Sequence, residues 1–217
     1  MRGYVSILSD KNRMSQRRAG HVNRCQICRV NNQLCVCEYI KPFSIETKIS
    51  LVVHVRELKL TSNTAQFAKK MLPDQVDIAI RGRINETFDT APTLSREGRA
   101  LFLYPHEDAV ELNDDFKEKF PGPYHLIIPD GNWQQARKVR KREAGFSNIQ
   151  TVKLKTGITG EYGLRKSQHP EWVSTYEAMA HALGALEDHT VTERLMSFFR
   201  TWVHHTQKAR SGDFSEN

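Results

Sequence analysis

Residues 125–142 read HLIIPDGNWQQARKVRKR, and the pattern changes sharply in the middle of them. The apolar run from Tyr124 to Pro129 is short and continuous, as expected for a strand buried on both faces of a sheet. Beyond it, Trp133, Ala136, Val139 and Arg140 recur close to helical spacing, which predicts a helix over 133–142 ended by Gly145. Asp130, Gly131 and Asn132 lie at the join. Asp130 therefore has two readings: a side-chain cap for the helix, or a carboxylate at the ligand-binding edge of a sheet. Trp133 is either core or an aromatic wall that flanks a planar purine.

The same alternation extends outward on both sides. Residues 49–55, ISLVVHV, read as a buried strand, and 63–72 place Ala65, Ala68 and Leu72 on one helical face. Residues 76–80, 100–104 and 124–129 are further β-rich runs, and the last two end at prolines that cannot continue a central strand. Residues 151–154 add a short strand, followed by a glycine-containing loop, TGITGEYG, at 156–163. Ser174 with Glu177, and Thr190 with Glu193, have the spacing of capping boxes and predict two final helices. The second of these buries Leu195, Phe198, Phe199, Trp202 and Val203. Strands alternating with helices specify an α/β fold with a mostly parallel sheet and flanking helices, whose ligands bind beyond the carboxyl ends of the strands. No G-x-G-x-x-G follows a strand and no G-x-x-x-x-G-K-[ST] occurs, so neither a dinucleotide fold nor a P-loop NTPase is supported.

Composition narrows the function class. The chain has 217 residues, 39% of them hydrophobic, enough for one core and a small appendage. No apolar run approaches the roughly 18 residues a membrane helix requires, and the first 20 residues lack the apolar core of a signal peptide, so a cytosolic protein is expected. Lys and Arg number 32 against 25 acids, a net charge of +7, which suits an anionic partner such as nucleic acid. All four cysteines, Cys25, Cys28, Cys35 and Cys37, fall in a C-x2-C-x6-C-x-C cluster. A disulfide framework would spread them along the chain. Four thiols on short loops suit a closed, structural Zn²⁺ site, which would lower the net charge to about +5.

These signals divide the chain into a basic arm (1–24), a zinc-binding element (25–40), an α/β domain (45–207) and a polar tail (208–217). The arm carries Arg2, Lys11, Arg13, Arg17, Arg18 and Arg24 against Asp10 alone. Arg137, Lys138, Arg140, Lys141 and Arg142 form a second basic cluster, either a solvated helix face or a phosphate-binding one; with no acid before Glu143, phosphate contact is favoured. His54 and Glu57, three residues apart after the first strand, are a structural polar pair or handle substrate.

Five motifs in order resemble those of the DTW-domain family, tRNA-uridine aminocarboxypropyltransferases of the TDD superfamily that includes compact bacterial members. They are the cysteine cluster; His54 and Glu57 with Asn63-Thr64; Tyr104-Pro105 with Glu107; Asp130-Gly131-Asn132-Trp133 with Gln135-Ala136; and Arg165 with Ser174-Thr175-Tyr176-Glu177-Ala178. The resemblance covers about residues 25–205, and departs from the family pattern where Asn132 replaces a Thr. It implies transfer of the 3-amino-3-carboxypropyl group of S-adenosylmethionine to N3 of a tRNA uridine, near position 47, releasing 5′-methylthioadenosine. It also implies likeness to the knotted SPOUT-like methyltransferases.

On that resemblance Asp130 is catalytic, as base for the N3 proton or as counter-charge to the sulfonium. Tyr104, Pro105, Asp130, Gly131, Trp133, Arg165, Ser174 and Thr175 would surround the donor, with Arg165 and the helix start at Ser174 suited to its carboxylate. His54, Glu57 and the cluster from Arg137 to Arg142 would face RNA. Two other classes fit parts of the same pattern: a noncatalytic zinc-containing RNA-binding protein, and an RNA methyltransferase that releases S-adenosylhomocysteine.

Overall fold

The computed structural model describes residues 23–60, 63–131, 133–164 and 172–214. Arg2, Lys11, Arg13, Arg17 and Arg18 of the basic arm, together with Asn132 and Arg165, lie outside the described residues. The described chain divides into two units, residues 41–197 and residues 1–40 with 198–217.

The first unit holds one sheet built from β1 (Lys48–His54), β2 (Val76–Arg81), β3 (Arg99–Leu103), β4 (Val110–Glu111), β5 (Tyr124–Asp130) and β6 (Gln150–Lys153). Their order is β2-β1-β5-β3-β6-β4, and every pair is parallel, where a mostly parallel sheet was expected. The continuous apolar runs account for this: β1 and β5 are central, buried from Ile49 to Val53 and from Tyr124 to Pro129. The helices are α1 (Ala65–Met71), α2 (Ala91–Leu94), α3 (Asp114–Lys119), α4 (Trp133–Arg142), α5 (Thr175–Leu186) and α6 (His189–Ser211). Val139 of α4 packs with Val52, Phe102, Ile127 and Phe146, so the apolar stripe of that helix is its sheet-facing side. Among the described residues no helix is long and apolar enough to cross a membrane.

Two local expectations are corrected. Pro129 does not end β5; Asp130 still pairs with Val53 of β1, because the ladder to β3 has already stopped at Phe102–Ile127 and Pro129 interrupts nothing there. Thr190 is not a helix cap. The helix begins at His189, and the Asp188 carboxylate accepts from the backbone N–H of Thr190 at 2.7 Å, so Asp takes the capping role two residues earlier. Strand β4 and helices α2 and α3, two, four and six residues long, are too short to display a period in the sequence.

Gly98 brings β3 against β5. Its φ is +105°, and a Cβ there would lie 2.7 Å from the backbone carbon of Tyr124, which cannot swing aside. Gly98→Ala is expected to destabilise by about 2–4 kcal/mol, from the left-handed backbone and the forced strand separation together. A melting temperature unchanged from wild type would overturn this.

In the second unit, Cys25 N–H donates to Val30 O at 2.8 Å and Arg29 N–H to Cys25 O at 2.9 Å, closing a tight turn with Arg29 in the left-handed region. The part of α6 from Phe198 onward belongs to this unit. Trp202, 1% exposed, donates its indole N–H to Cys28 O at 3.4 Å, and His205 Nδ1 lies 3.1 Å from Leu34 O.

Candidate functional site

Asp130 is the last residue of β5, and α4 starts only at Trp133. Asp130 thus precedes the first helical residue by three positions and is still paired in the sheet, so its reading as helix cap is set aside. Its carboxylate is instead held by two other elements. Thr175 Oγ1, at the first turn of α5, donates to Oδ1 at 2.5 Å, and Asn63 Nδ2, just before α1, donates to Oδ2 at 3.4 Å. Asn63 is itself fixed, because its Oδ1 accepts from the Ala65 N–H at 2.9 Å. These two bonds fix the orientation of the Asp130 carboxylate.

The capping box at α5 forms as its spacing predicts. Ser174 Oγ accepts from Glu177 N–H at 3.3 Å, and Glu177 Oε2 accepts from Ser174 N–H at 2.6 Å. The other oxygen of Glu177 accepts from Glu161 N–H at 2.5 Å, so one fully buried carboxylate ties the loop after β6 to the start of α5.

These elements enclose a cavity of about 570 Å³ at the carboxyl ends of β1, β3, β5 and β6. That lies within the roughly 300–1,000 Å³ of small-molecule sites. Its walls include apolar Leu103, Pro105, Ile128 and Ile158, acidic Asp130 and Glu57, and basic Lys153 and Lys155. The walls thus offer apolar surface, negative charge and positive charge to a single ligand.

Of the residues expected to surround the donor, Tyr104, Pro105, Asp130, Gly131, Ser174 and Thr175 all line this cavity. Arg165 and the side chain of Trp133 lie outside the described residues. Of those expected to meet RNA, Glu57 lines the cavity and His54 does not. His54 Nδ1 accepts from Arg56 N–H at 3.2 Å, and a Cβ on Gly82 would stand 2.6 Å from Nε2, so the ring packs against that glycine. Burial, then the charges of Arg81 and Arg56, hold its pKa below the usual histidine value and keep it neutral. On α4, Arg137, Lys138, Lys141 and Arg142 are exposed and Arg140 is half-buried, while Ala136 of the same helix reaches the cavity.

The cavity residues that sequence reasoning left without a role include Lys153, Lys155, Tyr162 and Trp172. The glycine-containing loop at 156–163 was the available signal, and nothing in it indicates which sheet edge it returns to. Asn63 was visible as part of a motif, but not as a partner of Asp130.

The four cysteines converge as expected. Cys25 Sγ and Cys37 Sγ are 3.5 Å apart and Cys28 Sγ and Cys35 Sγ 3.7 Å, and all four sulfurs lie within 4.8 Å of one another. Zn–S bonds of about 2.3 Å at tetrahedral angles separate sulfurs by about 3.8 Å, whereas a disulfide needs about 2.05 Å. The four free thiols therefore fit a four-thiolate zinc site. Burial, with neighbouring thiols adding, pushes the Cys37 thiol well above its ordinary value, a cost that a divalent cation offsets by favouring the thiolate.

With that geometry in view, the comparisons with known proteins are specific. The DTW domain matches residues 22–207. The chain is 28% identical over 167 residues to tRNA-uridine aminocarboxypropyltransferase 2 of Mus musculus, covering 75% of this chain and 56% of that protein. It is 26% identical over 170 residues to the Drosophila melanogaster protein of the same name, covering 76% and 67%. It is 25% identical over 214 residues to tRNA-uridine aminocarboxypropyltransferase A of Arabidopsis thaliana, covering 85% and 81%. The chain thus spans little more than half the length of the mouse relative. No solved structure matches.

Proposed function

Because the chain belongs to the DTW-domain family, we propose that it is a tRNA-uridine aminocarboxypropyltransferase, moving the 3-amino-3-carboxypropyl group of S-adenosylmethionine to uridine N3. The observation that carries this reading is the placement of Asp130, held by Thr175 and Asn63 on the wall of a cavity of donor size. The donor, when bound, supplies an electrophilic propyl carbon; its bond to sulfur breaks as the bond to N3 forms, leaving 5′-methylthioadenosine as a neutral thioether.

The chain's own contribution is positional and electrostatic. Uridine N3 carries a proton that is lost only well above neutrality, and Asp130 accepts that proton or balances the positive charge facing it. Thr175 and Asn63 restrict the carboxylate to one orientation, which is what a near-attack geometry requires. Lys153 and Lys155 supply cations for the donor's carboxylate, a role that Arg165 would share. Apolar walls keep water from the reacting atoms. The exposed cations of α4 supply phosphate contacts for tRNA, and Zn²⁺ on Cys25, Cys28, Cys35 and Cys37 is structural, since four protein ligands leave no open position. We assign the uridine near position 47 as target and the cytoplasm as the site of action.

Incubating the protein with unmodified tRNA and S-adenosylmethionine is expected to yield equal amounts of aminocarboxypropyl-uridine and methylthioadenosine, read by nucleoside mass spectrometry. S-adenosylhomocysteine as the product would establish a methyltransferase instead. Binding of tRNA without any donor turnover would leave an RNA-binding protein.

A further inference from the structure

Among the described residues, eight large apolar side chains are well exposed, and Trp172 is the one that also lines the cavity. It is 38% exposed. Tyr162, half-buried, lines the same cavity from the other segment. Both segments are anchored to Glu177: Tyr162 follows Glu161, whose N–H donates to Oε1, and Trp172 precedes Ser174 by two residues, whose N–H donates to Oε2. The next residue, Thr175, holds Asp130. One buried carboxylate therefore sets two aromatic-bearing segments beside the residue that positions Asp130.

We propose that Trp172, supported by Tyr162, is the stacking platform for the target uracil, drawn out of the tRNA stack and presented to Asp130 by its N3 edge. This rests on the transferase reading and names its acceptor site. An enzyme that alkylates a ring nitrogen used in pairing needs that base unstacked, and an aromatic face repays part of the cost. Exposure separates this site from the donor's. A small-molecule ligand is buried over most of its surface and belongs against the apolar walls formed by Leu103, Pro105 and Ile158, whereas the base of a large RNA must enter from solvent, where Trp172 lies. No base-specific hydrogen bond is required of Trp172; stacking tolerates any base, and N3 selection falls to Asp130.

The test compares wild type with Trp172→Ala and Trp172→Phe. Donor affinity is measured by calorimetry, methylthioadenosine formation on tRNA by turnover, and contact by quenching of tryptophan fluorescence with an eight-nucleotide oligouridylate. Trp172→Ala is expected to lower kcat/KM for tRNA by on the order of ten- to hundredfold and to abolish most of the quench, with donor affinity unchanged. Trp172→Phe keeps an aromatic face and most of the turnover. Quenching that persists in Trp172→Ala, or a loss of donor affinity matching the loss of turnover, overturns the platform. If wild type forms no methylthioadenosine, the transferase reading falls and the quench alone decides whether Trp172 stacks a base.

Discussion

Asp130→Asn is expected to reduce methylthioadenosine formation by on the order of 10²–10⁴-fold at saturating donor, the usual cost of a lost general base. The melting temperature should stay within the roughly 2–4 °C that one kcal/mol moves a chain of this size. The reason lies in the partners. An Asn side chain has nearly the shape of Asp, its oxygen can accept from Asn63 Nδ2, and its amide can donate to Thr175 Oγ1 once that hydroxyl rotates. Only the charge and the proton-accepting oxygen disappear. Asp130→Ala is less informative, since it leaves Asn63 and Thr175 facing an empty position and mixes a folding defect with a chemical one. Turnover near wild type in Asp130→Asn would remove this carboxylate from the chemistry and make Glu57, on the same cavity wall, the next acid to test.

The second large effect concerns metal. Purified without chelator, the protein is expected to carry about one zinc per chain, and removing it, or substituting Cys28→Ser, should cost several kcal/mol. The loss should concentrate in the unit formed by residues 1–40 and 198–217, whose core includes Cys28, Val30, Val36 and Trp202, all at most 1% exposed. That core is small, and small cores depend on staples. Trp202 reports the event, because its indole N–H is bonded to Cys28 O; chelation should shift its emission toward that of solvent-exposed tryptophan. A Trp172→Phe background limits the contribution of Trp172 to the signal. Absence of zinc by elemental analysis, or a melting curve indifferent to chelator, would overturn the assignment.

Much of this was present in the order of residues. The runs ISLVV and HLII are apolar apart from Ser50 and His125, whose side chains pair at 2.9 Å, and they lack regular polar alternation; such a strand is buried on both faces, which in an α/β chain means a parallel sheet. That alone placed Asp130 at the ligand-binding edge. The helix over Trp133–Arg142 and the capping box of Ser174 with Glu177 are local patterns, complete within one or two turns, and both formed as spaced. The cysteine cluster is local in the same sense: its four ligands span thirteen positions and short turns bring them together.

Other features had no local signature and were decided only by packing. Asp130 has its partners 67 residues upstream and 45 residues downstream, and nothing in Asn63 or Thr175 announces that contact. An Asp before a helix is more often a cap than a catalytic acid when read alone; the actual start of α4 removed the cap reading. Glu177 illustrates both halves of the matter. Its bond to Ser174 N–H is dictated by i, i+3 spacing, whereas its bond to Glu161 N–H depends on where the loop after β6 returns. Sequence patterns report what a residue does to its own turn or strand, because those interactions repeat with the period of the backbone. Strand order, the closure of the cavity and the partners of Asp130 arise from minimising exposed apolar surface over the whole sheet, a condition that no single stretch contains.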